Sequence, residues 1–141
     1  MHTEQDTCPE CDAPRVEGMN CWEMLGALGA WEFQDPELMA GHFLTVASYN
    51  LQHPAQFTDE ALAGLRTAVI DYLDHGVSTV ELRRRAARAY EGKRRVLKPE
   101  AERQPVLRQW AMTIADVYIP NHPEGAAGRV RKWGTSIRRE F

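Results

Sequence analysis

The apolar positions from Cys21 onward recur at helical rather than alternating spacing. Asn20 is placed to cap a first helix, residues 21–33, with Trp22, Leu25, Leu28 and Trp31 on one side. Asp35 with Pro36 opens a second, residues 36–53, where Leu38, Met39, His42, Phe43, Val46, Tyr49, Asn50 and His53 recur and Pro54 stops the run. Thr58 or Asp59 caps a third helix with Leu62, Leu65, Val69, Tyr72 and Leu73 inward and Gly76 as its C-terminal cap. Ser78-Thr79-Val80-Glu81 has the form of a capping box and starts a fourth, with Leu82, Ala86, Ala89 and Tyr90 inward and Arg83, Arg84, Arg85, Arg88, Lys93, Arg94 and Arg95 outside. Leu107, Trp110, Ala111, Ile114, Val117 and Tyr118 give the cleanest period of all and predict a fifth helix ending at Pro120. Val130, Trp133, Ile137 and Phe141 predict a sixth. No segment alternates with period two, so the expected fold is all-α: one domain, residues 1–141, of about six helices.

Residues 1–20 have no period at all. They are rich in Cys, Pro, Asp, Glu and Gly and need a local staple to hold a shape. Cys8-Pro9-Glu10-Cys11 supplies one, because a C-x-x-C turn sets two thiolates about one ligand-to-ligand distance apart on a tetrahedral metal. Cys21 adds a third sulfur at a helix N-terminus, where free N–H groups and the dipole favour a thiolate. Three sulfurs call for a fourth ligand, and a histidine would complete a closed Cys₃His zinc site. If the first two helices form an antiparallel hairpin, His53 falls at the end from which Cys8 and Cys11 project and His42 lies the other way, so His53 is preferred and His42 is the alternative. The two imidazoles are eleven residues apart on one predicted helix, about 16 Å, so one ion cannot take both. The remaining His42 is then expected to bond a polar neighbour such as Asn50 or Tyr49. His2, His75 and His122 read as surface residues.

Composition adds two constraints. Apolar residues make up 43% and charged residues 26% of the 141, as in a globular protein. No apolar run approaches the roughly 20 residues of a membrane span, and the polar N-terminus does not read as a secretory signal, so the expected location is the cytoplasm, where thiols stay reduced. The net charge of −3 conceals a division at Gly76: thirteen Asp/Glu against two Arg before it, seven against fifteen Arg/Lys after it. Either the fold has an acidic and a basic surface, or the halves attract each other as they pack.

The pattern Cys8-Pro9-x-Cys11-x-Ala13, then Cys21, then His42-x-Leu44-Thr45-Val46-x-x-Tyr49-x-Leu51-Gln52-His53-Pro54 resembles a family of small uncharacterised bacterial proteins, known only as a domain of unknown function. The resemblance implies a Cys/His metal site and names no activity. Asp12 departs from the glycine that often follows the second cysteine of a zinc knuckle in order to take positive φ, a geometry Asp tolerates better than most residues.

Three functions compete on this reading. A zinc-stabilised helical module that binds a protein or a second copy of itself fits a closed site, four Trp residues on amphipathic faces and the absence of any nucleophile–base or phosphate-loop motif. A nucleic-acid binder would use the basic half, with Arg84, Arg88, Arg95, Arg131 and Lys132 as candidate phosphate contacts. A zinc enzyme would need solvent as the fourth ligand and a base, for which Glu10, Glu17 and Glu23 are near in sequence but undistinguished.

Overall fold

The structure is a computed structural model that describes residues 6–89 and 95–141. Among these residues there are six α-helices and no strands, only isolated bridges. The expected inward Tyr90 and outward Lys93 and Arg94, and also His2, lie outside the described residues.

Each of the first helices starts where its cap dictates. In α1 (Cys21–Glu32) the Asn20 side chain accepts the Glu23 N–H and the Glu23 carboxylate accepts the Asn20 N–H, both at 2.9 Å. The side chain of Asp35 accepts two N–H groups at the start of α2 (Pro36–Ala40). The run expected to be one helix is two, because the Gly41 N–H closes α2 through tightened bonds to Glu37 and Leu38 and a new helix, α3 (His42–Gln52), follows. Leu38 of α2 is completely buried, and α3 buries most of its residues.

Thr58 caps α4 (Asp59–His75), and Gly76 closes it at φ +66°. Ser78 accepts the Glu81 N–H at the start of α5 (Thr79–Ala89). The Glu81 carboxylate, expected to reach back to the cap, instead takes Arg84 and Arg85. Ion pairs between described residues join the acidic and basic halves, Arg85 with Asp71 and Arg138 with Asp74, so part of the charge division is consumed inside the fold.

The expected fifth helix is absent. Its residues run irregularly apart from one 3₁₀ turn, Ile114–Asp116, which Thr113 and Asp116 cap reciprocally. A helix starting at that cap has only six residues before Pro120, too few to hold itself together. The segment before it finds partners elsewhere: the Arg108 N–H donates to the Glu10 carbonyl, and the Gln52 amide donates to the Met112 carbonyl at 2.7 Å. Beyond the turn, Arg129 donates to the carbonyls of Val117, His122 and Glu124 and so holds the loop they belong to.

The last helix, α6 (Ala126–Arg138), begins earlier than its apolar stripe suggests, after Gly125 at φ +83°. It buries Val130, Trp133, Gly134 and Ile137, and it packs most closely on α3. There the buried Trp133 indole donates to Gln52 Oε1 at 3.1 Å. A Cβ on Gly134 would meet three carbons of the Leu44 side chain at 2.6, 2.7 and 2.8 Å. Gly134→Ala is therefore expected to destabilise the protein by about 1–3 kcal/mol through overpacking, although alanine in a helix interior is ordinarily favoured by nearly 1 kcal/mol. Denaturant unfolding measures the difference, and unchanged or raised stability would contradict the close contact.

Candidate metal centre

Four ligand-bearing side chains converge from three pieces of chain. Cys8 and Cys11 come from a tight turn, Cys21 from the first position of α1, and His53 from the residue that ends α3. Their four donor atoms all lie within 4.8 Å of one another. Cys8 Sγ is 3.5 Å from His53 Nε2, and Cys11 Sγ is 3.6 Å from Cys21 Sγ. His42 is not part of the cluster.

The turn owes its shape to backbone bonds. The Cys8 N–H donates to the Ala13 carbonyl and the Asp12 N–H to the Cys8 carbonyl, and Thr7 pairs with Pro14 across the base. Asp12 sits at φ +65°, the left-handed position that the sequence marked by departing from glycine. Inside the turn, the N–H groups of Glu10 and Cys11 point at Cys8 Sγ from 3.4 and 3.5 Å, which favours negative charge on that sulfur. A second tight turn, with Glu17 and Gly18 both at positive φ and Val16 paired to Met19, then delivers the chain to Asn20 and the start of α1. Glu10 locks the knuckle to the histidine side by accepting the Ala55 N–H at 3.0 Å, and Asp12 accepts the side-chain amide of Gln109.

His53 is oriented from behind. Its Nδ1 donates to the Tyr49 carbonyl at 2.7 Å, which turns Nε2 toward the sulfurs, and its ring stacks on Tyr49 at 4.1 Å. Burial, with the sulfurs adding to it, pushes the Tyr49 phenol up and keeps it neutral. The sulfurs divide their protons unequally. Hydrogen bonds from Cys11 and Cys21 hold the Cys8 thiol far below its usual range, while the same contacts with Cys11 and Cys8, and burial, push Cys21 far above it. Burial works against charge on His53, but its hydrogen bonds to Cys11 and Cys8 and to the Tyr49 carbonyl outweigh it and raise the imidazole to about 10. Three sulfurs in contact cannot all ionise unless a cation lies among them.

The same constraint corrects the expected face of α1. With Cys21 fixed toward the cluster, Met24, Leu28 and Glu32 turn inward, and Trp22, about 100° further round, swings outward and is 69% exposed. Trp31 keeps a partner by stacking on Tyr118. His42 also differs from expectation. Its Nδ1 lies 2.8 Å from the carboxylate of Glu32, which is buried, rather than against Asn50 or Tyr49. Ten residues separate the pair, and no local pattern signals it. Gln52, next to His53, is the functional neighbour that sequence reading passed over. An amide at a position buried on all sides is its only signal, and it ties the centre to α6 and to Met112.

Of the candidate basic residues, Arg84 closes on Glu81, while Arg88, Arg95, Arg131 and Lys132 are exposed. No described helix is long and apolar enough to cross a membrane.

The chain belongs to DUF5946, a family of unknown function whose model matches residues 6–141. No curated protein and no solved structure matches it.

Metal uptake should depend on His53 and not on His42. His53→Ala is expected to weaken binding by more than the 10–100-fold typical of losing a residue that merely supports a ligand, and His42→Ala to leave it unchanged, by competition with a chromogenic chelator. Because the metal must displace protons held by Cys21 and His53, uptake near neutral pH should release protons, and apparent affinity should rise with pH. Calorimetry in buffers of different ionisation enthalpy counts those protons.

Proposed function

We propose that Cys8, Cys11, Cys21 and His53 hold one zinc ion as a structural staple, and that the chain is a zinc-stabilised helical module that works by association with a protein partner or a second copy of itself. The observation that carries the reading is the closed donor set. Three thiolates and an imidazole suit zinc by softness and by number. Zinc–sulfur bonds of about 2.3 Å and zinc–nitrogen bonds of about 2.0–2.1 Å give tetrahedral edges of roughly 3.5–3.8 Å, and the two short contacts, 3.5 and 3.6 Å, match them. Four protein ligands fill the tetrahedron and leave no position for a reacting water, which favours a structural over a catalytic ion.

Association is supported by the outer face of α1. Trp22 and Phe33, the latter 84% exposed, stand three turns apart on that face with Gly26, Gly29 and Ala30 between them. A Cβ at either glycine would touch nothing within 4 Å, so internal packing does not demand them. The face is flat, apolar and bounded by two aromatic rings, the composition of an interface anchor rather than of a solvated helix. Nucleic-acid binding has weaker support, because Arg84, Arg85 and Arg138 are spent on carboxylates and Arg129 on backbone carbonyls.

Removal of the metal by a chelator should lower the thermal midpoint and expose residues 6–20 to protease. Circular dichroism and limited proteolysis report these changes, and a chelated chain as stable as the loaded one would remove the structural role. Sizing across a range of concentrations, alone and with Trp22→Ala/Phe33→Ala, tests association. A strict monomer with no co-purifying partner, or a complex indifferent to both substitutions, counts against the α1 face.

A further inference from the structure

We propose that Cys8 is a modification site: a thiolate open to hydroperoxides, whose two-electron oxidation discharges the zinc and unfastens residues 6–20. This rests on the zinc reading above and deepens it by assigning the same centre a chemical input. Three observations support this, and the first separates Cys8 from its fellow ligands.

The first is access. Cys11 is completely buried and Cys21 is 6% exposed, whereas Cys8 is half-buried. A cleft of about 260 Å³ between Pro9, Pro14, Trp22 and Tyr49 reaches it; Cys21 and His53 also line that cleft, but Cys21 is the more deeply buried of the two cysteines there. A small peroxide fits such a space and a folded protein does not. The second is the form of the sulfur: zinc holds it as a thiolate, the form of cysteine that attacks peroxides, and the Glu10 and Cys11 N–H groups point at it from 3.4 and 3.5 Å. The third is a partner for the oxidised sulfur. Both other sulfurs lie within 4.8 Å of Cys8, so closing a disulfide of about 2.05 Å needs a shift of less than about 3 Å.

The chemistry proceeds in two steps. Cys8 sulfur attacks the terminal oxygen of hydrogen peroxide; the S–O bond forms, the O–O bond breaks, and the departing hydroxide takes a proton from solvent to leave as water. The sulfur has lost two electrons and the peroxide has gained them, giving a sulfenic acid. A sulfur of the Cys11–Cys21 pair then attacks, forming the S–S bond and expelling hydroxide, which is protonated to a second water. Two thiolates, one peroxide and two protons become one disulfide and two waters. Only one thiolate and His53 remain for the ion, and zinc departs.

Loss of the ion matters because two of its four ligands come from this strap. Beside them, residues 6–20 are held by the burial of Ala13, by Val16 and Met19 against the core, by the Glu10 contacts with Ala55 and Arg108, by Asp12 with Gln109 and by the cap on α1.

The test treats the zinc-loaded full chain with hydrogen peroxide in the presence of dimedone, which traps sulfenic acids. Released zinc is followed with a chromogenic chelator and the adduct is mapped by mass spectrometry. The expected result is a first adduct on Cys8, loss of the one zinc for every two thiols consumed when dimedone is omitted, protease cleavage within residues 6–20 after oxidation, and recovery on adding dithiothreitol and zinc. A first adduct on Cys11 or Cys21, or zinc retained at peroxide levels that oxidise free glutathione, overturns the proposal and leaves the structural zinc standing. A chain that cannot be loaded with zinc sinks both readings.

Discussion

Three sulfurs held in contact at the end of a buried helix set the terms for everything around them. Without a positive charge among them they must share protons, and the segment that carries two of them has no apolar stripe with which to hold itself in place. On the zinc reading proposed above, a cation there adds to the burial of Ala13 a reason for residues 6–20 to adopt one arrangement. Its demands then propagate. Cys21 must face inward, which fixes the rotation of α1 and sends Trp22 to the surface. His53 must present Nε2, which requires α3 to end at that residue and the Tyr49 carbonyl to hold the opposite nitrogen.

Helix α3 is where the metal centre and the core become one structure. At its start Leu44 lies against the bare backbone of Gly134; at its end Gln52 bonds both Trp133 of α6 and the Met112 carbonyl; the next residue is the ligand. A side chain with one acceptor and one spare donor pair thus joins the last helix, an irregular segment and the metal centre within a single residue of each other. Because both ends of the Gln52 amide are engaged away from water, the position tolerates neither a shorter amide nor an apolar replacement without stranding a buried polar group.

Much of this was readable from the chain because it is local. The knuckle spacing, the caps at Asn20, Asp35 and Thr58, the terminator Gly76 and the positive φ of Asp12 all depend on residues within a few positions of each other. The fifth helix does not form although its apolar period is the cleanest in the chain. Thr113, Asp116 and Pro120 already limited any helix there to a turn, and the partners that hold the preceding segment, Gln52 and Glu10, are some sixty or more residues distant. The break at Gly41 lies within a continuous apolar stripe, and the Glu32–His42 pair spans ten residues, so neither has a local signature.

The positions of the four ligands have one more consequence, in the order of events rather than in the final geometry. All of them fall between residues 8 and 53, whereas the basic half of the chain begins beyond Gly76. If the centre holds a metal as proposed, it can therefore close during synthesis while α4, α5 and α6 are still to be made. The first three helices would then be gathered first by a metal and only later by a core.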